Sequence, residues 1–139
     1  MNNTKNNNNK NSLYKDIYGI DKGILELNLS DFIYKKNKLY INNSYFAKKK
    51  GFIIFYAPWC EHCKKIADTL INLAMVNINL FYFGAVNAEN IEMGNDKLCI
   101  QANIKSFPTI KYINDDGSLE NYVFPYNFDN LIYFINTNI

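Results

Sequence analysis

The stretch Ala57-Pro58-Trp59-Cys60-Glu61-His62-Cys63 constrains this chain more than any other. Two cysteines with two residues between them follow a continuous apolar run, Phe52-Ile53-Ile54-Phe55-Tyr56, and open a helical pattern. A strand that delivers a dithiol to a helix N-terminus places it where unpaired backbone N–H groups and the helix dipole stabilise a thiolate, the reactive form of cysteine. The run is too apolar for a strand with one wet face, so it is expected at the centre of a sheet.

The rest of the pattern builds around that strand. Gly23 to Leu29 reads as a first strand, and Ser30 or Asp31 can cap a helix beginning at Phe32. Lys35 to Lys50 is irregular, with Asn42-Asn43 interrupting it and Lys48-Lys49-Lys50 expected at a solvated helix end, where cations suit the dipole. The dithiol helix is expected from Cys60 to Met75, with Ile66, Ala67, Leu70, Ile71 and Ala74 facing the core. Leu80 to Val86 reads as a further strand, and a short helix within Asn90 to Asn103 carries Cys99 as a small apolar residue. Thr109 to Ile113, the turn Asn114-Asp115-Asp116-Gly117 and Leu119 to Phe124 form a hairpin. A last helix near Asp129 sets Leu131, Ile132, Phe134 and Ile135 on the sheet. The order β-α-β-α-β-α-β-β-α suits an α/β fold with a mixed central sheet and helices on both faces.

Composition limits the alternatives. A length of 139 residues allows one sizeable core, and a net charge of +2 leaves no nucleic-acid footprint. All 15 basic residues are Lys, so bidentate guanidinium contacts are absent. Three cysteines, an odd count, argue against a disulfide framework and suit one redox pair with a spare. A zinc reading would need two more ligands, and the chain offers only His62, its single histidine, and the distant Cys99. Residues 1–21 are expected to form an Asn/Lys-rich tail, disordered at least to Asn11, and 22–139 the domain. The first twenty residues lack the apolar centre of a signal peptide, so the chain is made in the cytosol, or a leader has been removed or lies beyond this sequence.

Ala57 to Lys64 resembles the active-site stretch of the thioredoxin superfamily, specifically of protein disulfide isomerase catalytic domains, whose usual version has Gly at the position of Glu61. Phe107-Pro108-Thr109-Ile110 resembles the family's cis-proline loop, and the similarity runs from about Lys22 to the C-terminus. The resemblance implies a thioredoxin fold and thiol–disulfide exchange on protein cysteines, without a bound cofactor, in a chain expected to be monomeric. It also implies an endoplasmic reticulum lumen location, with the cytoplasm as the alternative.

In that reading Cys60 attacks and Cys63 resolves the mixed disulfide. Glu61 and His62 tune the thiolate in opposite directions by their charges, and Trp59, Phe107 and Pro108 meet the substrate. Three departures stand out. The family's buried Glu, six residues before the first cysteine, is Ile54 here; the Lys that partners it falls in Ala85-Val86-Asn87; and the mobile Arg cannot exist. The expectation is therefore that nothing near Cys63 accepts its proton and that release is slow. The rival is an adaptor of weak or no activity that binds unfolded or partner proteins.

Overall fold

The computed structural model describes residues 16–139. Five strands form the central sheet: β1 (Ile24–Leu27), β4 (Gly51–Tyr56), β5 (Tyr82–Asn87), β6 (Thr109–Ile113) and β7 (Leu119–Asn121). Their spatial order is β1-β5-β4-β6-β7. β1, β5 and β4 run parallel, β6 is antiparallel to β4, and β7 is antiparallel to β6, so the sheet is mixed. This is the thioredoxin fold expected above.

β4 is the middle strand and every one of its residues is buried. Alternation sends its side chains to two separate cores. Phe52, Ile54 and Tyr56 join one, with α1 (Glu61–Val76) and α3 (Phe128–Thr137). Ile53 and Phe55 join the other, with Leu98 and Ala102 at α2 (Asn95–Gln101). Helices therefore cover both faces. On α1 the buried stripe is Cys63, Ile66, Ala67, Leu70, Leu73 and Ala74, so Leu73 belongs to it and Ile71 is only half-buried. α3 buries Leu131 and Ile135, with Ile132 and Phe134 packed at the margin.

Two expectations are corrected. No α-helix begins at Phe32; the second face carries instead a hairpin of β2 (Phe32–Lys35) and β3 (Lys38–Ile41), which buries Phe32 and Leu39 beside Phe46. Phe32-Ile33-Tyr34 and Leu39-Tyr40-Ile41 are aromatic and branched residues suited to strands, and Lys36 and Asn37, at φ 52° and 64°, make the tight turn between them. Asp31 does bond the Asn28 N–H, at 2.8 Å, but the turn it closes is the single 3₁₀ turn Leu29–Asp31. Likewise Lys48 to Lys50 do not end an α-helix. They follow a 3₁₀ turn, Ser44–Phe46, capped by the Asn43 side chain.

The packed chain also begins before Lys22. Tyr18, only 6% exposed, lies in the core with α1, whereas residues 1–15 of the expected tail fall outside the described residues. The strap from Asp16 to Tyr18 is tied down at both ends: Asn87 Nδ2 donates to Asp16 Oδ1 at 2.9 Å, and the Tyr18 N–H donates to Glu26 Oε2 at 3.2 Å.

Candidate active site

Cys60 is the N-cap of α1, in extended conformation after β4 and the Ala57–Trp59 turn. Its sulfur accepts the Cys63 N–H at 3.4 Å, so one of the helix's unpaired donors points at Sγ. On the other side, Cys60 Sγ donates to the Phe107 carbonyl oxygen at 3.5 Å. The Phe107–Pro108 peptide is cis, and it faces the dithiol. Sequence positions 60 and 107 thus meet at one point.

The two cysteines differ in environment. Cys63 is fully buried, and Cys60 is 8% exposed. Burial raises the Cys63 thiol above the ordinary cysteine range, and its hydrogen bond with Cys60 adds to this, against a lowering contribution from the Ala57 backbone. A thiol held neutral waits, and an N-cap sulfur at the rim can attack. Cys99, half-buried on α2, is pushed up to about 11 by burial and then by Asp96.

Glu61 and His62 both stand in solvent on the first turn of α1. Trp59 is 63% exposed; its indole N–H donates to Glu89 Oε2 at 3.0 Å, and its ring meets Phe107 edge-on at 6.3 Å. Beside this pair a groove of about 380 Å³ is lined by His62, Lys65, Ile66, Pro108, Tyr126 and Phe128. Tyr126 is held there by the Ile110 N–H, which donates to its hydroxyl at 2.8 Å. A cavity of about 430 Å³ lies at the opposite end of β4, between Ile41 and the Asn114–Gly117 turn, and no cysteine lines it. Among the described residues no group of three His, Cys, Asp or Glu could hold a metal ion.

The thioredoxin family model matches residues 34–137, three-quarters of the chain and both halves of this site. The chain belongs to the thioredoxin family. A mitochondrial thioredoxin domain-containing protein of Schizosaccharomyces pombe is 39% identical over 70 residues, covering 49% of this chain and 19% of that protein. Protein disulfide-isomerase 1 of Dictyostelium discoideum is 29% identical over 93 residues, covering 65% and 25%. The first thioredoxin domain of mouse protein disulfide-isomerase A4 superposes with a TM-score of 0.62 at 21% identity, over 88% of this chain and 85% of that one, a likeness of fold. The chain spans about a fifth to a quarter of the length of these two curated relatives.

For this thioredoxin-family domain the structure adds residues that the sequence reading passed over. Ile54 and Ala85 are buried and apolar, and an acid, Glu26, stands on the strand next to Ala85. Glu26 pairs with Ala85, which pairs with Ile54, so the three stand in one row across β1, β5 and β4. Glu26 shares the face of Ile24, toward α1, and the Tyr56 hydroxyl donates to its Oε2 at 2.5 Å. The signal was present in the sequence: in Ile24-Leu25-Glu26-Leu27 the acid sits in step with Ile24, on the face that becomes buried. Tyr18 and Tyr56 carried no such signal.

Proposed function

We propose that this chain is a thiol–disulfide oxidoreductase of the protein disulfide isomerase type, acting on cysteines of protein substrates through Cys60 and Cys63. The observation that carries the reading is the asymmetry of the pair: an N-cap sulfur at the rim, bonded by a helix N–H and facing the Phe107–Pro108 loop, and a partner thiol sealed beneath it. Exchange needs such a division between an attacking and a resolving thiol.

Cys60 attacks a substrate disulfide, and one substrate sulfur leaves as a thiol. The other remains bonded to Cys60 until Cys63 displaces it and closes the internal disulfide. Run in reverse, the same steps oxidise a substrate dithiol. Trp59, Phe107 and the groove beside Pro108 offer aromatic surface and Phe107 backbone groups to an extended peptide. Glu61 and His62 stand exposed between the two cysteines, and in this reading their charges tune the pair.

A non-catalytic adaptor is the second reading, drawn from Ile54 and Ala85 in place of the family's buried pair. Glu26 in the same row counts against it. The protein disulfide isomerase resemblance carries the endoplasmic reticulum lumen with it, and the mitochondrial relative makes the mitochondrion a competing address.

Redox equilibration against glutathione, with refolding of a scrambled disulfide protein as the activity, tests the reading. A potential near −180 mV with disulfide isomerisation supports the isomerase type, whereas one near about −270 mV makes the chain a reductase. A chain that neither cycles nor refolds substrate would leave the adaptor.

A further inference from the structure

Asn87, the last residue of β5, is buried, and both ends of its side-chain amide are engaged. Its Oδ1 accepts the Glu89 N–H at 3.0 Å, and its Nδ2 donates to Asp16 Oδ1 at 2.9 Å. Glu89 in turn accepts the Trp59 indole N–H at 3.0 Å. Asp16, Asn87, Glu89 and Trp59 are thus joined by three hydrogen bonds that run from the N-terminal strap to the ring beside Cys60. The strap end of this chain is anchored apart from the dithiol. The Ile17 N–H donates to the Tyr56 hydroxyl at 3.0 Å, Lys22 Nζ donates to the Ile17 carbonyl at 3.1 Å, and Tyr18 is buried in the core. Asp16 therefore presents its carboxylate from a fixed backbone, although its own side chain is exposed.

We propose that Asp16 and Asn87 are positioning residues for Trp59, so that the docked N-terminal strap sets the surface a substrate meets beside Cys60. The proposal rests on the oxidoreductase reading above and deepens it at the substrate face. A carboxylate only accepts hydrogen bonds, so Asp16 compels the Asn87 amide to turn its Nδ2 toward the strap. That leaves Oδ1 aimed at the Glu89 N–H, which holds the Glu89 backbone where its carboxylate reaches the indole. Without Asp16 the amide can turn over and set a donor against the Glu89 N–H. Glu89 then loses a directed partner, and Trp59 loses its anchor.

An exposed ring gains most from such a hold. A loose indole would have to be ordered by each arriving substrate, at a cost in conformational entropy that weakens docking. Trp59, bonded to Glu89 through its N–H and edge-on to Phe107, is ordered in advance. The contacts that join Cys60 to Cys63 and to the Phe107 carbonyl do not pass through the strap. The strap should accordingly govern how a substrate docks and reaches Cys60, and leave the later displacement by Cys63 alone.

The test uses the full reduced chain, in which Trp59 is the single tryptophan, so the anisotropy of tryptophan emission reads this ring alone. Formation of the mixed disulfide with a disulfide peptide, and its release, are timed separately by acid quenching and mass. Glu89→Ala sets the anisotropy of an unheld ring. Asp16→Ala, an exposed change that leaves the core intact, should lower the anisotropy toward that value and leave release unchanged. It should slow formation by roughly two- to tenfold, the span of one lost hydrogen bond. Asp16→Asn, which can still accept from Asn87, should keep anisotropy and formation near wild type. Unchanged anisotropy in Glu89→Ala or Asp16→Ala would overturn the proposal, as would unchanged formation in Asp16→Ala or equal slowing of formation and release. The same loss in Asp16→Asn would also overturn it, by making charge the cause. Absence of any mixed disulfide in the wild type strikes the oxidoreductase reading instead, and the anisotropy then decides alone whether the strap holds the ring.

Discussion

The Tyr56 hydroxyl and Glu26 Oε2 lie 2.5 Å apart, joining β4 to β1 over the strand that separates them. The small side chain of Ala85 stands in the row between Glu26 and Ile54, and the Ile17 N–H donates to the same hydroxyl at 3.0 Å. A hydrogen bond to a carboxyl in such surroundings couples the fold to pH.

Glu26 titrates near 8 in the fold against an ordinary value of 4.5, chiefly because burial disfavours its charge. Between those two pH values the folded chain holds a proton that the unfolded chain has released, so the stability present below about 4.5 is lost as pH rises through about 8. Each pH unit is worth ~1.4 kcal/mol, and partial solvent access reduces the full difference to on the order of 3 kcal/mol. Urea unfolding at pH 5 and pH 9 should show wild type losing that much relative to Glu26→Gln, whose curve should be flat with respect to this group. Parallel wild-type and Glu26→Gln curves would remove the coupling.

Asn95 gives a prediction with no redox content. It is fully buried; its Nδ2 donates to the backbone carbonyls of Leu27 and Asn87 and to Asn28 Oδ1, and its Oδ1 accepts the Leu29 N–H. One amide thus ties α2 to the ends of β1 and β5. Asn95→Ala strands several buried groups and should cost about 2–4 kcal/mol in denaturant unfolding, with the reduction potential unchanged. A loss below about 0.5 kcal/mol would mean that water replaces these bonds without penalty.

Glu61 and His62 flank the dithiol in solvent and carry opposite charges when His62 is protonated. Glu61→Gly should make the site more oxidising and His62→Ala less so, each by roughly 10 to 40 mV, read by equilibration with glutathione. Raising the salt concentration should shrink both shifts, because both groups are screened. Shifts of the same sign would remove charge as the cause.

Much of this was readable from residues alone. The all-apolar run from Phe52 to Tyr56 could only be a strand buried on both faces, and it is the middle of the sheet. The dithiol helix, the hairpin after Pro108 and the last helix follow from their spacing and their turn residues. The β2–β3 hairpin was hidden because its turn, Lys36-Asn37, lacks the glycine that marks most tight hairpins, and because Asp31 offers a helix-cap signal that the fold uses for a 3₁₀ turn. The strap from Asp16 to Tyr18 adjoins a polar tail, so its burial depends on partners far along the chain, Asn87 and Glu26. For the same reason Glu26 looked like an ordinary strand residue. Pattern told which face it would take, and only the strand order brought it into one row with Ala85 and Ile54.

The central claim is that Cys60 attacks and Cys63 resolves, and substrate trapping measures it most directly. Cys63→Ser should accumulate a mixed disulfide between Cys60 and a scrambled, disulfide-bonded protein substrate, seen as a band on non-reducing gels that vanishes with a thiol reductant. Cys60→Ser should accumulate none, because Cys63 is sealed within the core and Cys99, half-buried on α2, has no part in the pair. Equal trapping by both variants, or trapping by neither, would contradict the account.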